Sequence, residues 1–237
     1  MVKIDVELAE KVALACNILA IGGHGDFTAG HVTGREPGQN YLHMKSRGLG
    51  LDEITAKDIL VIDLEGNKVA GSAGRHSEYP IHTEIYKMYP ETNCVIHTHP
   101  FFSIIVGSTG ENINVISNVG AFFSDIPVFS ETTQLVSTPE LGKSVAGCLN
   151  GHMALILRNH GVVVRGSSIE EATVQAILLE KAAKFHVMAA PLGPCFTSSP
   201  EEILKKKERI LAEGKIKDTW DYCVRRLKVN SPTKDSD

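Results

Sequence analysis

The stretch Asn93-Cys94-Val95-Ile96-His97-Thr98-His99-Pro100 decides how the rest of the chain is read. Its apolar, β-branched start is strand-like, Pro100 cannot continue a strand ladder, and Phe101 to Val106 resumes as the opening of a helix. In an extended strand, residues two apart project to the same face, so His97 and His99 present both imidazoles to one side and can bite one metal ion.

Upstream, His76-Ser77-Glu78-Tyr79-Pro80 leads into a helix from Pro80 to Tyr89, with Ile81, Ile85 and Met88 on one face. Asp58 to Asp63 is a short strand, closed by Glu65-Gly66-Asn67 and resumed at Lys68 to Ala70, a hairpin pattern. Gly22 to Gly50 is rich in Gly, His and polar residues and reads as more loop than element, with short extended pieces at His31 to Thr33 and Tyr41 to His43. Val6 to Ile21 carries apolar residues at helical spacing until Gly22-Gly23 stops it.

Downstream, Thr138-Pro139 opens a helix to about Leu149. Met153 to Leu157 and Val162 to Val164 are apolar strands flanking Arg158-Asn159-His160-Gly161, which sets a third imidazole at a strand edge. Ser167 or Ser168 caps a long helix, two charged helices follow at about 200–213 and 216–228, and 230–237 reads as a frayed tail. Helices and strands alternate without a break in composition, so the chain is expected to form one α/β domain over 1–237, with a mixed sheet between helical layers and a helical C-terminal extension over about 199–229.

The 237 residues are 43% hydrophobic and carry a net charge of −4, with 24 Lys+Arg, 28 Asp+Glu and 10 His. A chain of this length buries a core without metal staples, and its acidity disfavours nucleic acid and anionic membranes. No run is long and apolar enough for a membrane span, and the N-terminus lacks a secretory pattern, which gives a cytoplasmic expectation. Five scattered cysteines read as reduced, mostly buried thiols. No P-loop or dinucleotide fingerprint occurs, so nucleotide cofactors are not indicated.

Three imidazoles leave a divalent ion an open position, as catalytic sites require, and Glu78 is placed to complete the ligand set or to serve as a base beside it. The motifs Gly74-Arg-His-Ser-Glu-Tyr-Pro-Ile-His82, Val95-Ile-His-Thr-His-Pro100 and Leu157-Arg-Asn-His-Gly161 resemble the class II aldolase/adducin family of sugar-phosphate aldolases, epimerases and aromatic-acid decarboxylases, from the first helix to about residue 190. The resemblance implies a three-layer αβα domain and a homotetramer with sites near subunit interfaces. It also implies a divalent ion, commonly zinc and sometimes manganese or cobalt, held by His97, His99 and His160. Glu78 takes the position of the family's catalytic carboxylate, which ligates the empty metal and turns to acid/base work when substrate arrives.

Where aldolases of the family cradle a phosphate with small donors, this chain reads Gly30-His31-Val32-Thr33, Lys45-Ser46-Arg47-Gly48 and His76-Ser77. His31, Ser46, Arg47, Gly48 and Ser77 are therefore expected to contact a small-molecule substrate, with Arg47 offering a planar fork to a carboxylate. No tyrosine lies between Tyr89 and Tyr222, so the acid tyrosine of the sugar-phosphate aldolases is missing. These departures are similar to the decarboxylase branch, which acts on hydroxy-substituted aromatic or heteroaromatic acids. Retro-aldol cleavage and a metal-free, adducin-like interaction module are the alternatives. His43 is a further candidate to line the site and Arg75 a weaker one. His82, Glu84 and His186 read as packing or solvent positions, and His24, His76 and His152 carry no assignment.

Overall fold

The computed structural model describes residues 2–210 and 213–230. Eight strands form one sheet in the order β4-β3-β2-β1-β5-β8-β7-β6. They are β1 His31–Gly34, β2 Tyr41–Lys45, β3 Ile59–Asp63, β4 Lys68–Ala70, β5 Cys94–Thr98, β6 Val128–Phe129, β7 Ala154–Leu157 and β8 Gly161–Gly166. Every neighbouring pair is antiparallel except β6 and β7, so the sheet is mixed, as expected.

Helices α1 (Val6–Leu19), α3 (Phe101–Thr109) and α5 (Ile169–Ala189) cover one face, and α2 (Tyr79–Met88) and α4 (Pro139–Leu149) the other. Strand alternation divides the cores. Cys94, Ile96, Val32, Val162 and Val164 pack with α1 and α5. Val95, Leu42, Met44, Leu155 and Val163 pack with α2 and α4. This is the three-layer α/β architecture. The charged helices are α6 (Pro200–Ile210) and α7 (Glu213–Asn230), and Trp220 of α7 joins the α1/α5 core. Of the tail, Asn230 closes α7, whereas 231–237 lie outside the described residues.

Local signals act as the sequence implies. Thr138 caps α4 by accepting from Leu141 N–H, with Pro139 in the first turn, and Ser168 caps α5 by accepting from Glu171 N–H. One expectation is corrected: the segment read as loop between Gly22 and Gly50 contains β1 and β2, both inner strands of the sheet. The extended pieces at His31 to Thr33 and Tyr41 to His43 are these strands; their inner position was not legible because each spans only four or five residues, and their burial comes from neighbours on both sides rather than from an apolar run. All five cysteines are free; Cys16 and Cys94 are buried, Cys148 and Cys223 are half-buried, and Cys195 is exposed. Among the described residues, no helix is long and apolar enough to cross a membrane.

Antiparallel pairing places the site. β5 runs outward and ends at Thr98, while its two neighbours begin there: His31 of β1 pairs with His97, and β8 starts at Gly161. Three chain segments thus meet at one sheet edge. On the α2/α4 side, the carbonyl of Pro80 lies 2.5 Å from where a Cβ on Gly142 would sit, so the glycine lets α4 clasp the first turn of α2 and fixes the residue before it, Glu78.

Candidate metal centre

His97 donates from Nδ1 to the Val162 carbonyl at 3.0 Å, across the β5/β8 ladder. His99 directs Nδ1 at the Asp26 carboxylate, 2.8 Å away. Since a carbonyl or carboxylate only accepts, each neutral ring spends its single proton on Nδ1 and leaves Nε2 bare. The two bare nitrogens face each other at 3.2 Å. The Nε2 of His160 is buried without a hydrogen-bond partner and stands 3.6 Å from Glu78 Oε1. Glu78 Oε2 lies 3.7 Å from His97 Nε2.

These four ligand atoms all lie within 4.8 Å of one another. Lone pairs converging with no hydrogen between them repel, and a cation at their centre relieves that repulsion. Tetrahedral zinc with nitrogen ligands at about 2.05 Å spaces them by roughly 3.3 Å, close to the observed separations. The donor set therefore fits a divalent ion. Burial favours the required protonation states, because loss of water holds His97 well below the usual histidine range and His160 down to about 4. Burial also raises the carboxyl of Glu78 above its ordinary value, against opposing pulls from Val136 N–H and His99.

Glu78 occupies the cap position of α2 with Pro80 behind it, yet its side chain does not cap the helix. Oε1 instead accepts from Val136 N–H at 2.9 Å, which pins that oxygen beside His160 and leaves Oε2 facing His97 and His31. Gly161 admits the third histidine, since any Cβ there would meet the Thr98 carbonyl at 2.4 Å. Asn159, at φ 55, makes the turn that returns the chain from β7 into β8.

The residues expected around a substrate are distributed unevenly. His31 is at the centre: its ring lies 4.9 Å from that of His97, and its Nε2 is 4.0 Å from Glu78 Oε2. Ser46 is buried and gives its carbonyl to His76 Nε2 at 3.1 Å, and the His76 ring lies 4.6 Å from that of His31. Arg47, Gly48 and Ser77 sit on an exposed rim, where Arg47 N–H donates to Gly74 O at 2.9 Å. Arg75 stacks on the Tyr79 ring at 3.8 Å.

Two histidine readings are corrected. His43 belongs to the opposite face, since its neighbours Leu42 and Met44 point into the α2/α4 core, and its Nε2 accepts from Asp5 N–H at the start of α1. His82 is neither a solvent position nor simple packing: it is fully buried and bonded to His31 and Thr33. Its spacing of four from Glu78 put both on one helical face, a signal available in the sequence. Asp26, by contrast, had no local signature. His24 also has a place, accepting from the Thr98 hydroxyl and donating to Ala176 O. Beside the cluster, Gly23, Gly25, Asp26, His99, Phe101, Ile104 and Ile105 line an open hollow of about 340 Å³.

The sequence profile of the Class II Aldolase and Adducin N-terminal domain matches residues 10–187. The 3,4-dihydroxyphthalate decarboxylase of Arthrobacter keyseri is 28% identical over 236 residues, covering 93% of this chain and 94% of that protein. The L-fuculose phosphate aldolase of Methanococcus maripaludis is 27% identical over 147 residues, covering 62% of this chain and 79% of that one. Among solved structures, an aldolase II superfamily protein from Pseudomonas syringae superposes with a TM-score of 0.87 at 24% identity, covering 98% and 96% of the two chains.

Proposed function

Because the chain belongs to the class II aldolase and adducin family, we propose that it is a divalent-metal-dependent carbon–carbon lyase that decarboxylates a hydroxy-substituted aromatic or heteroaromatic acid. The observation that carries this reading is the convergence of His97, His99, His160 and Glu78 on one point. In this reading the three histidines and, in the resting site, Glu78 hold zinc, with manganese or cobalt as substitutes. A bound divalent ion supplies electrostatic stabilisation of the negative charge left when carbon dioxide departs.

The chain's own residues do the rest. Glu78, buried and pinned through Oε1, is the group that holds a proton and gives it at Oε2 to the carbon that has lost carbon dioxide. Arg47, on the rim, binds a substrate carboxylate, and His31, Ser46, Gly48 and Ser77 complete the substrate contacts. The hollow lined by Phe101, Ile104 and Ile105 receives an aromatic ring. Phe101 is 66% exposed and Phe27, next to Asp26, is 94% exposed, which supports a neighbouring subunit over this rim and a homotetramer. The enzyme is a single domain over 1–237 and works in the cytoplasm on a small molecule. Retro-aldol cleavage of a small sugar or hydroxy-oxo acid is the second reading, favoured by the aldolase relative of Methanococcus maripaludis.

The deciding experiment scores zinc-loaded protein for carbon dioxide release from hydroxybenzoates, dihydroxyphthalates and hydroxypyridine acids, and for aldehyde release from sugar phosphates. His97→Ala should lose both metal and turnover. Glu78→Gln should keep KM and lose about 10²- to 10⁴-fold in kcat. Full activity in metal-stripped protein overturns the metal assignment, and turnover of sugar phosphates alone overturns the decarboxylase.

A further inference from the structure

A buried hydrogen-bonded chain runs from α2 through β1 to the site. Tyr86 Oη donates to the Thr33 carbonyl at 3.1 Å and also lies 3.1 Å from Thr33 Oγ1. Thr33 Oγ1 is 2.7 Å from His82 Nδ1, and His82 Nε2 is 2.6 Å from His31 Nδ1. All four residues are buried. Among the described residues, no hydrogen bond is formed by His31 Nε2, which stands 4.0 Å from Glu78 Oε2.

The protons can be counted along the chain. There are five contacts, since Thr33 Oγ1 also lies 3.4 Å from the Val95 carbonyl, and Tyr86, Thr33, neutral His82 and neutral His31 contribute one proton each. In one ordering, His31 Nδ1–H donates to His82, His82 Nδ1–H to Thr33 Oγ1, the Thr33 hydroxyl to Tyr86 Oη, and Tyr86 to the Thr33 carbonyl. Every contact but the long one to Val95 is then filled. In the reverse ordering Thr33 donates to His82 and His82 to His31, so Tyr86 alone must serve two contacts and a second contact, besides that to Val95, is left empty. An unfilled contact in a dry interior costs about 1–3 kcal/mol. Burial keeps the Tyr86 proton in place and holds His82 neutral, with its pKa down to about 3.

We propose that Tyr86, Thr33 and His82 are positioning residues that lock His31 in the Nδ1–H tautomer, so that a bare Nε2 beside Glu78 accepts a hydrogen bond from a substrate hydroxyl. This rests on the lyase reading above and narrows it, making the hydroxyl a donor that the protein itself reads. A site built to accept from a hydroxyl discriminates against an analogue that cannot donate, because the buried acceptor is then left unpaired. His82 lies outside the four-residue cluster and meets it through His31.

The test has two arms, both on zinc-loaded protein. Nitrogen-15 NMR of histidine-labelled protein, with His31 assigned by its loss in His31→Gln, reads which ring nitrogen carries the proton. A protonated Nδ1 and bare Nε2 are expected, and a protonated Nε2 overturns the proposal whatever the enzyme turns over. Calorimetry then compares 2-hydroxybenzoate with 2-methoxybenzoate. Thr33→Val, which removes the hydroxyl at nearly constant volume, should reduce the preference for the hydroxy compound about tenfold. His82→Gln, whose Oε1 reaches the acceptor position, should keep that preference, and His82→Leu should lose it. A preference unchanged in Thr33→Val and His82→Leu, or absent from the wild type, overturns the hydroxyl assignment. Failure of the lyase reading has a different signature: no turnover in the substrate screen, with the tautomer read by NMR unaffected. If Thr33→Val or His82→Leu does not fold, the His31 tautomer read in the wild-type spectrum decides.

Discussion

Gly161→Ala tests whether the approach of β8 to the end of β5 builds the site. A Cβ at position 161 would sit 2.4 Å from the Thr98 carbonyl oxygen and 2.7 Å from His99 Cδ2, where ordinary contact begins at 3.4 Å. The offending atom is main chain in an inner strand, so it cannot swing aside, and the turn carrying His160 must retreat by about 1 Å. Such overpacking costs about 1–3 kcal/mol of stability. The larger effect falls on function, since a ligand displaced by about 1 Å costs on the order of 10²-fold in rate where geometry is limiting. Zinc affinity, measured by competition with a chromophoric chelator, should fall at least tenfold, with a matching loss in kcat at saturating zinc. Gly147→Ala is the control: it lies on the exposed side of α4 with open space around it and should stabilise by about 0.5–1 kcal/mol without touching zinc. Gly161→Ala protein with unchanged zinc affinity and turnover would refute the reasoning.

Three further outcomes follow from the same geometry. Asp26→Ala removes the acceptor that orients His99 and should weaken zinc by about 10- to 100-fold in the chelator assay; unchanged affinity means the 2.8 Å contact does not orient the ring. His24 is fully buried with its pKa lowered from 6.5 to about 4, so between those values the unfolded chain binds a proton that the folded chain refuses. Its stabilisation is complete above pH 6.5 and drains away as pH falls toward 4, by about 3 kcal/mol in all. The urea midpoint of metal-free protein should therefore drop from pH 7 to pH 5, less so in His24→Gln, and equal slopes for the two proteins count against it. Arg47→Ala should raise KM roughly tenfold for a carboxylate substrate with kcat held, because the exposed guanidinium acts in binding alone; a fall in kcat at constant KM reverses that role.

How much was legible in the sequence follows from the range over which each signal acts. The pair His97 and His99 was readable because strand periodicity is local and strict, and Glu78, His160 and the layer architecture came from motif order. β1, β5 and β8 are antiparallel, and the edge forms because two strands begin where the third ends. The misplacement of His43 has a simple origin. Its strand was recognised as extended, but which parity faces α1 depends on register with β3 and β1, a long-range property. Asp26 lies in a turn whose partner is His99, 73 residues away, and no local pattern marks such a contact.

The histidines also differ in what their burial does, and that difference separates support from chemistry. His24, His76 and His82 each satisfy a ring nitrogen against a carbonyl or another side chain, so burying them removes little that is not returned. His160 does not: its Nε2 is buried and unpartnered, beside two bare nitrogens 3.2 Å apart. Leaving such groups unpaired costs about 1–3 kcal/mol each, and nothing local recovers it. The sheet edge imposes the cost, because His97 is fixed by the ladder, His160 by the tight return into β8, and Glu78 by the α2/α4 contact and Val136. A fold that holds its acceptors rigidly against mutual repulsion has its binding geometry prepared before any cation arrives. That preparation explains why the orienting contacts, to Val162 and Asp26, come from main chain and loop on the far side of each ring rather than from the centre they surround.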